Sequence, residues 1–391
     1  MTRSVPKILF CATVDVHFRA FHLPTMAWFR EQGWEVHVAA NGNLRLPHCD
    51  RQHAILFARS PWGRSNLRAY RELKRLIDTE KFDLIHCHTP VGGALARLAA
   101  RDARKRGTKV FYTAHGFHFC KGAPMASWLL FYPVERLLSR WTDCLVTITR
   151  EDHARAVADG FPAGQSAHVH GVGVDVQRFA PLGEPERGAR RAALGYGPAD
   201  RLLFYAAEFN RNKNQQLLIQ ALAQLRQRHS GARLLLAGTG PLLESCRQLA
   251  RQLGVEQAVE FLGYRDDLNQ LLPLCDIAVA SSLREGLPVN VMEAMACELP
   301  VVAVANRGHS ELVSENACGA IVAAGDAAGL AREVTRMLED AQVSKNCGEN
   351  GRRAVLEKYS SVRVGEKLRE IYRPFMEAGA ADGRPLVEKN T

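Results

Sequence analysis

Short runs of apolar and β-branched residues alternate with longer helical patterns along almost the whole chain, and this alternation constrains the fold more than any other feature. A parallel strand reaches its parallel neighbour only through a crossover, so the pattern implies parallel α/β layers. In the first series strands are expected at Lys7–Ala12, Glu35–Ala39, Leu84–His88, Lys109–Ala114, Cys144–Thr147 and Ala167–His170, with helices near Leu23–Gln32, Leu67–Thr79, Gly92–Arg106 and Met125–Arg140. The second series has strands at Leu202–Ala206, Arg233–Ala237, Val259–Leu262, Ile277–Ala280, Val301–Val304 and Ala320–Val322. Its helices are expected near Asn214–His229, Pro241–Leu253, Asp266–Leu272, Val289–Cys297, Ser310–Ser314 and Ala328–Asp340. Between the two, Gly171–Asp200 is rich in glycine and proline and has the composition of a hinge. A length of 391 residues suits two domains. The expectation is two Rossmann-like domains facing across a cleft, residues 1–175 and 176–358, with ligands at the carboxyl ends of the strands. Tyr359–Met376 reads as a further helix, and residues 377–391, with Gly379, Gly383 and Pro385, as a mobile tail.

Composition narrows the function. With 47% hydrophobic and 24% charged residues the chain is neither disordered, collagenous nor a coiled coil. No apolar run approaches the ~18 residues of a spanning helix, and the first residues lead into a strand without an apolar signal core, so a cytoplasmic protein is expected. Ten scattered cysteines without a C-x-x-C pair fit reduced thiols in the core. The net charge is +9 over residues 1–175 and +1 over the remainder. A basic first half points to a phosphorylated substrate or an anionic membrane; no nucleic acid is expected, because no zinc finger, basic helix or aromatic RNA-binding signature is present.

The stretch Ser281-Ser282-Leu283-Arg284-Glu285-Gly286-Leu287-Pro288-Val289-Asn290-Val291-Met292-Glu293-Ala294 follows an apolar strand and opens a helix. Free backbone N–H groups around Gly286 to Val289 make an end that binds anions or hydroxyls. Glu285 in the loop and Glu293 about one turn into the helix are placed to hold hydroxyl groups. Taken singly, each has a plainer reading: Glu285 favours the helix N-terminus electrostatically, and Glu293 is a solvated helix residue.

Glu, seven residues, Glu, with Gly-Leu-Pro after the first and a strand before it, resembles the donor-site motif of retaining GT-B glycosyltransferases of family 4 (glycosyl transferases group 1). The resemblance covers about residues 5 to 375 and implies that Glu285 contacts the transferred sugar, Glu293 the ribose, and those backbone amides of the stretch Gly286, Leu287 and Pro288 that keep a hydrogen the sugar or phosphate oxygens. It likewise implies that the Tyr359–Met376 helix crosses back to pack on the first domain. Ala207-Glu208-Phe209-Asn210-Arg211-Asn212-Lys213-Asn214 matches the place of the family's Gly-Arg-Leu, three residues, Lys-Gly segment, whose arginine and lysine neutralise the diphosphate. Lys213 falls on the lysine, but Glu208 falls on the arginine, and a carboxylate cannot replace a guanidinium there. Either Arg211 or Arg284 supplies the charge, or Glu208 faces elsewhere and Lys213 acts alone. The turn Gly238-Thr239-Gly240-Pro241 resembles the family's glycine turn, and Gly263-Tyr264-Arg265-Asp266-Asp267 the segment that faces the nucleobase. These imply donor-side roles for Gly240, Tyr264 and Arg265, although Gly238-Thr239-Gly240 alone also reads as a tight turn.

In the first half, Tyr112-Thr113-Ala114-His115-Gly116-Phe117-His118-Phe119 resembles the family's Thr-x-His-Gly segment, which implies that His115 approaches the sugar, with His118 on the acceptor side. The other readings are a hydrogen-bonded core histidine and a metal pair; no third ligand stands nearby at a recognised spacing, so no metal or other cofactor is expected. His86-Cys87-His88 places both histidines on one face of a strand, with His88 read as a cleft wall on the acceptor side. The first loop, Thr13–Arg19, lacks the paired glycines many family members carry; Arg19 binds an acceptor phosphate or is a surface arginine. Gly122–Pro133, aromatic and apolar, with Lys121, Arg136 and Arg140 beside it, is either a segment that dips into an anionic lipid surface or an ordinary buried helix.

The resemblance as a whole implies transfer of a hexose or N-acetylhexosamine from a UDP-sugar to a polyprenyl-diphosphate-linked glycan acceptor, with retention and without metal, in capsule, exopolysaccharide or lipid-linked glycan synthesis, by a protein peripherally bound to the inner face of the plasma membrane. A nucleotide-sugar epimerase and a catalytically weak binding protein are the alternatives. Dinucleotide oxidoreduction is poorly supported, since no Gly-x-Gly-x-x-Gly follows the first strand.

Overall fold

The computed structural model describes residues 5–381. The chain divides into two compact units, one running to residue 172 and taking up the chain again from 364, the other comprising 173–363. In the first, β1 (Lys7–Val14), β2 (Glu35–Asn41), β3 (Arg51–Ala54), β4 (Leu84–His88), β5 (Lys109–Ala114), β6 (Cys144–Thr147) and β7 (Gln165–His168) form, among the described residues, a seven-stranded sheet in the order β3-β2-β1-β4-β5-β6-β7. In the second, β8 (Arg201–Ala206), β9 (Ala232–Ala237), β10 (Val259–Gly263), β11 (Ile277–Ala280), β12 (Val301–Val304) and β13 (Gly319–Val322) form a sheet in the order β10-β9-β8-β11-β12-β13. The paired strands run parallel in both sheets.

Both sheets are wound outward from their first strand in one direction and then in the other. The order reverses between β1 and β4 and between β8 and β11. At such a reversal the connecting loops diverge and leave a crevice at the carboxyl ends of the strands. Central strands buried on both faces read as unbroken apolar runs; Phe10, Ile85, Phe111 and Leu145 are fully buried.

Four expectations are corrected. The edge strand β3, Arg-Gln-His-Ala, carries no apolar pattern because most of it is exposed. The segment Gly92–Arg106 is two helices, Pro90–Ala99 and Arg101–Lys105. The hinge-like stretch Gly171–Asp200 contains the helix Glu184–Ala193, with acidic residues in its first turn and Arg190 and Arg191 in its last, a charge order that favours a helix. Arg187 and Arg191 of this helix bond to Asp276 at 2.6 and 3.1 Å, and the same carboxylate accepts from the Leu202 amide at 2.7 Å, which ties the helix to β8 and β11. The last helix runs from Ser361 to Ala381 and so continues past Met376; the expected tail beyond 381 lies outside the described residues. Its Tyr372 belongs to the first unit, where it stacks on Phe111 at 5.1 Å and bonds to the buried His86.

Two glycines bring the helix Pro90–Ala99 close to the sheet. A Cβ at Gly92 would stand 2.9 Å from the Thr13 amide nitrogen, and one at Gly93 only 2.4 Å from the Tyr112 ring. One turn on, the fully buried Arg97 lies over the Tyr112 ring at 3.8 Å and bonds to Glu135 of the helix Met125–Leu138 at 2.9 Å. Removing one member of a buried ion pair strands the other charge, at a cost of about 3–5 kcal/mol, whereas an apolar pair of similar volume is tolerated. Glu135→Leu should therefore lower unfolding free energy in urea by about that amount, and adding Arg97→Met should recover most of the loss; a Glu135→Leu variant as stable as the parent would show that this pair does not seat the helix.

Candidate functional site

In the second unit the loops after β8 and β11 meet at the reversal of strand order. The loop after β8 is held by its own polar side chains: Asn210 Oδ1 accepts from the Lys213 amide at 3.0 Å, and Asn214 turns the chain into the helix Gln215–Leu225 with φ of 52°. Ser281, at the end of β11, donates to the Lys213 carbonyl at 2.7 Å, and the Leu283 amide donates to the Asn212 carbonyl at 2.8 Å. The two loops are thus sewn together by a side-chain hydroxyl and a backbone amide, and across the seam Lys213 Nζ meets Glu285 Oε1 at 2.5 Å. Both side chains are largely covered, with 23% and 14% exposure, so their pairing is screened less than a surface pair would be.

A third loop, after β12, supports the acidic one. Arg307 Nε donates to the Glu285 carbonyl at 3.0 Å, and Asn306 Nδ2 to the Ser282 carbonyl at 2.8 Å. A Cβ at Gly308 would fall 1.7 Å from the Gly286 carbonyl oxygen, so the position has no room for a side chain. Leu287 and Pro288 are buried, which leaves the backbone of this stretch, rather than their side chains, to meet a ligand. Sequence reading missed Asn306, Arg307 and Gly308 because their contacts lie across the sheet. The helix Val289–Ala296 starts immediately after Pro288.

Glu293 lies within that helix, half-buried. Burial pushes its carboxyl up to about 7, and the Arg178 charge partly opposes the shift. Arg178, which the sequence did not single out, also donates to the Asp266 carbonyl at 2.7 Å. The remaining donor-side candidates are spread around this centre. Arg211 and Arg284 are exposed. Glu208 is exposed with its Oε2 accepting from Asn210 at 3.0 Å, so its carboxylate is directed to its own loop and not to Lys213. Tyr264 is 76% exposed, and Arg265 pairs with Asp267. Gly240 has φ of 152°, and a Cβ there would stand 2.5 Å from the Phe209 carbonyl oxygen.

In the first unit a second constellation occupies the other reversal. His88 ends β4, His115 follows β5, His17 lies in the short helix Val16–Phe21 after β1, and His22 ends that helix. His88 Nδ1 lies 3.3 Å from His115 Nε2, and His17 Nε2 lies 3.1 Å from His22 Nε2. The expectation for His88 is corrected: it is fully buried, so it backs His115 and is not itself a wall open to an acceptor. Burial lowers the pKa of His17 to about 4 and that of His22, His88 and His115 well below the ordinary histidine value, so all four rings are neutral at pH 7. Asp152, capped by Thr149 at the start of a helix the sequence reading missed, accepts from the Phe117 amide at 3.1 Å and fixes the loop that carries His115. His118 is exposed and stacks on Phe131 at 4.5 Å; Arg19 is exposed.

The Glu293 shift carries a sign for stability. A carboxyl near 7 when folded and near 4.5 when unfolded costs nothing below about 4.5, destabilises progressively as pH rises from there to about 7, and costs its full amount above. Glu293→Gln should therefore raise Tm at pH 8 and leave it nearly unchanged at pH 4.5; equal effects at both values would mean that Glu293 is not held in its protonated form.

Comparison with known proteins agrees with this layout. Residues 187–354 match the family described as Glycosyl transferases group 1, and residues 23–173 the Glycosyl transferase 4-like domain. EpsD of Bacillus subtilis (strain 168), which bears the name of a glycosyltransferase, is 48% identical over 95% of this chain and 97% of its own length. The UDP-Gal:alpha-D-GlcNAc-diphosphoundecaprenol alpha-1,3-galactosyltransferase of Escherichia coli is 24% identical over 78% of this chain and 79% of its own. The solved structure of Anabaena Alr3699/HepE, in complex with UDP and glucose, superposes with a TM-score of 0.77 at 20% identity, covering 94% of this chain and 100% of that one. The chain is a glycosyltransferase with the GT-B fold and belongs to the group 1, or family 4, glycosyltransferases.

Proposed function

We propose that this glycosyltransferase moves a hexose or N-acetylhexosamine from a UDP-sugar to a polyprenyl-diphosphate-linked glycan, with retention at the anomeric carbon, in polysaccharide synthesis. The observation that carries the reading is the Lys213–Glu285 pair at the strand-order reversal of the second sheet, with Glu293 in the helix that follows. An ammonium and a carboxylate held side by side can take the two halves of a sugar phosphate: Lys213 the departing diphosphate, Glu285 the sugar hydroxyls. Glu293 takes the ribose hydroxyls. A role for His115 on the sugar rests on the family resemblance. The names of the Escherichia coli and Anabaena relatives, one with a UDP-galactose donor and a diphosphoundecaprenol acceptor and one bound to UDP and glucose, support the same substrate classes.

With Glu285 paired to Lys213, we assign same-face attack rather than a covalent intermediate on the enzyme. The bond from the anomeric carbon to the diphosphate oxygen breaks as the acceptor oxygen bonds to the same face, and the acceptor proton passes to the departing phosphate oxygen. Lys213 and the amides before the helix Val289–Ala296 stabilise the charge that develops there. Because Lys213 supplies that charge, the diphosphate is expected to need no divalent ion.

The acceptor reading gains from the helix Met125–Leu138. Trp128, Phe131 and Tyr132 pack on the core, while Met125 and Leu129, at 72% and 73% exposure, and Leu130, Val134 and Leu137 remain exposed. Lys121, Arg136 and Arg140 are exposed beside them. The segment is therefore not an ordinary buried helix, and an apolar face among basic residues fits an anionic lipid surface. No helix among the described residues is long and apolar enough to cross a membrane.

UDP-sugars offered with a short prenyl-diphosphate glycan should yield a product heavier by one sugar. Glu285→Ala and Lys213→Ala should each cut turnover at least tenfold with unchanged circular dichroism, and Mg2+ or Mn2+ should not raise the rate of chelated enzyme. Parental turnover in both variants would remove the site assignment. An isomerised UDP-sugar formed without acceptor would favour an epimerase, and UDP binding without any transfer a binding protein, the outcome that Glu208 in place of arginine makes worth testing. Vesicles of anionic lipid should co-sediment the protein, with Met125→Glu/Leu129→Glu lowering retention severalfold and salt weakening it; equal retention by the double variant would place the lipid contact elsewhere, and concentration-dependent dimerisation abolished by the variant would assign the face to a second copy.

A further inference from the structure

We propose that His17, His22, His88 and His115 form a binding site for a late first-row divalent cation of the zinc type, built into the first unit independently of the donor site. The four rings each offer one nitrogen, and these atoms lie within 4.8 Å of one another. A tetrahedral ion with Zn–N bonds of about 2.0–2.1 Å sets its ligand nitrogens roughly 3.3 Å apart. The two pairs the structure brings into contact, His17 with His22 at 3.1 Å and His88 with His115 at 3.3 Å, are already near that edge length. Drawing the pairs together around an ion needs only small side-chain movement.

His88 is fully buried, yet its Nε2 has no hydrogen-bond partner. An ion bound through Nδ1, the atom that faces His115, leaves Nε2 to carry the ring proton. An all-imidazole donor set selects Zn2+, Co2+, Ni2+ or Cu2+ over Mg2+ and Ca2+, which prefer oxygen. Phe10 and Phe18 pack against His88 and give the ligands an apolar surround. His22 and His88 are buried and His17 and His115 half-buried, so the ion enters from the side of the latter two.

An ion here would cross-link the turn after β1 to the ends of β4 and β5. It leaves His115 a second ring nitrogen, and coordination at one nitrogen fixes the other as an N–H donor. The site therefore does not compete with a hydrogen bond from His115 to a sugar.

The test uses the untagged full chain, stripped with chelator and dialysed against Zn2+ alone. Retention of one equivalent, lowered at least tenfold in affinity by His17→Gln and by His22→Gln but not by His118→Gln, is the expected result, with a Zn2+-dependent rise in Tm that His17→Gln abolishes. Co2+ should give the intense visible absorption of a four-coordinate ion. Affinity unchanged in both His17→Gln and His22→Gln, no Zn2+ retained by the parent chain, or a pale six-coordinate Co2+ spectrum overturns the proposal. None of these readouts depends on turnover, so its failure leaves the transferase reading standing, and the reverse.

Discussion

A parallel sheet that starts in its middle must at some point reverse the direction in which it adds strands, and the two polar constellations described above collect at the two places where it does. β1 and β4 diverge at one, β8 and β11 at the other. The loops that leave adjacent strands there go to opposite faces, and their polar side chains are turned toward one another without displacing the apolar layers. The histidine cluster and the Lys213–Glu285 pair are the same topological event occurring twice. Their chemistry differs because the residues placed at the strand ends differ, imidazoles in one unit and an ion pair in the other.

Neither constellation favours the folded state by itself. Four neutral imidazoles gathered under the loops, a half-buried carboxyl pushed up to about 7 and a buried nitrogen without a partner are all departures from a well-satisfied core. They are offset by buried charged groups that have close partners. Arg97 has Glu135 and the Tyr112 ring, and Asp276 has two guanidiniums and a backbone amide. These pairs position helices against the sheets, and the sheets in turn hold the loops in place. Desolvation at the strand ends is thus carried by a scaffold that such pairs hold together.

The central strands were legible because strands buried on both faces must be apolar along their length: β4, β5, β6, β11 and β12 lie where their residue patterns placed them. Several of the elements that escaped sequence reading are held by charge, by a cap or at an exposed edge. β3 is an exposed edge strand, the helix Glu184–Ala193 is anchored through Asp276, and the helix Arg150–Ala158 starts on the Thr149 cap. Thr149 with Glu151 and Asp152 was a usable signal for that last helix, and the acidic-to-basic order of Glu184–Arg191 for the other. Glu285, Glu293 and Lys213 stood out in the sequence because a strand, a loop and a helix follow one another there with no gap.

What the sequence determined alone was the kind of fold and the chemical character of each loop, since apolar periodicity and residue type are local properties. Tertiary structure decided which of those loops meet. His17 and His22 are separated from His88 and His115 by more than sixty residues of chain, and Arg307 from Glu285 by one strand and one helix, so no spacing rule along the sequence connects them. They come together because parallel pairing sets β1 beside β4 and β11 beside β12, and the loops at the ends of neighbouring strands then share one small volume. Side-chain burial, and with it the neutral state of the imidazoles and the raised pKa of the Glu293 carboxyl, is a consequence of that meeting.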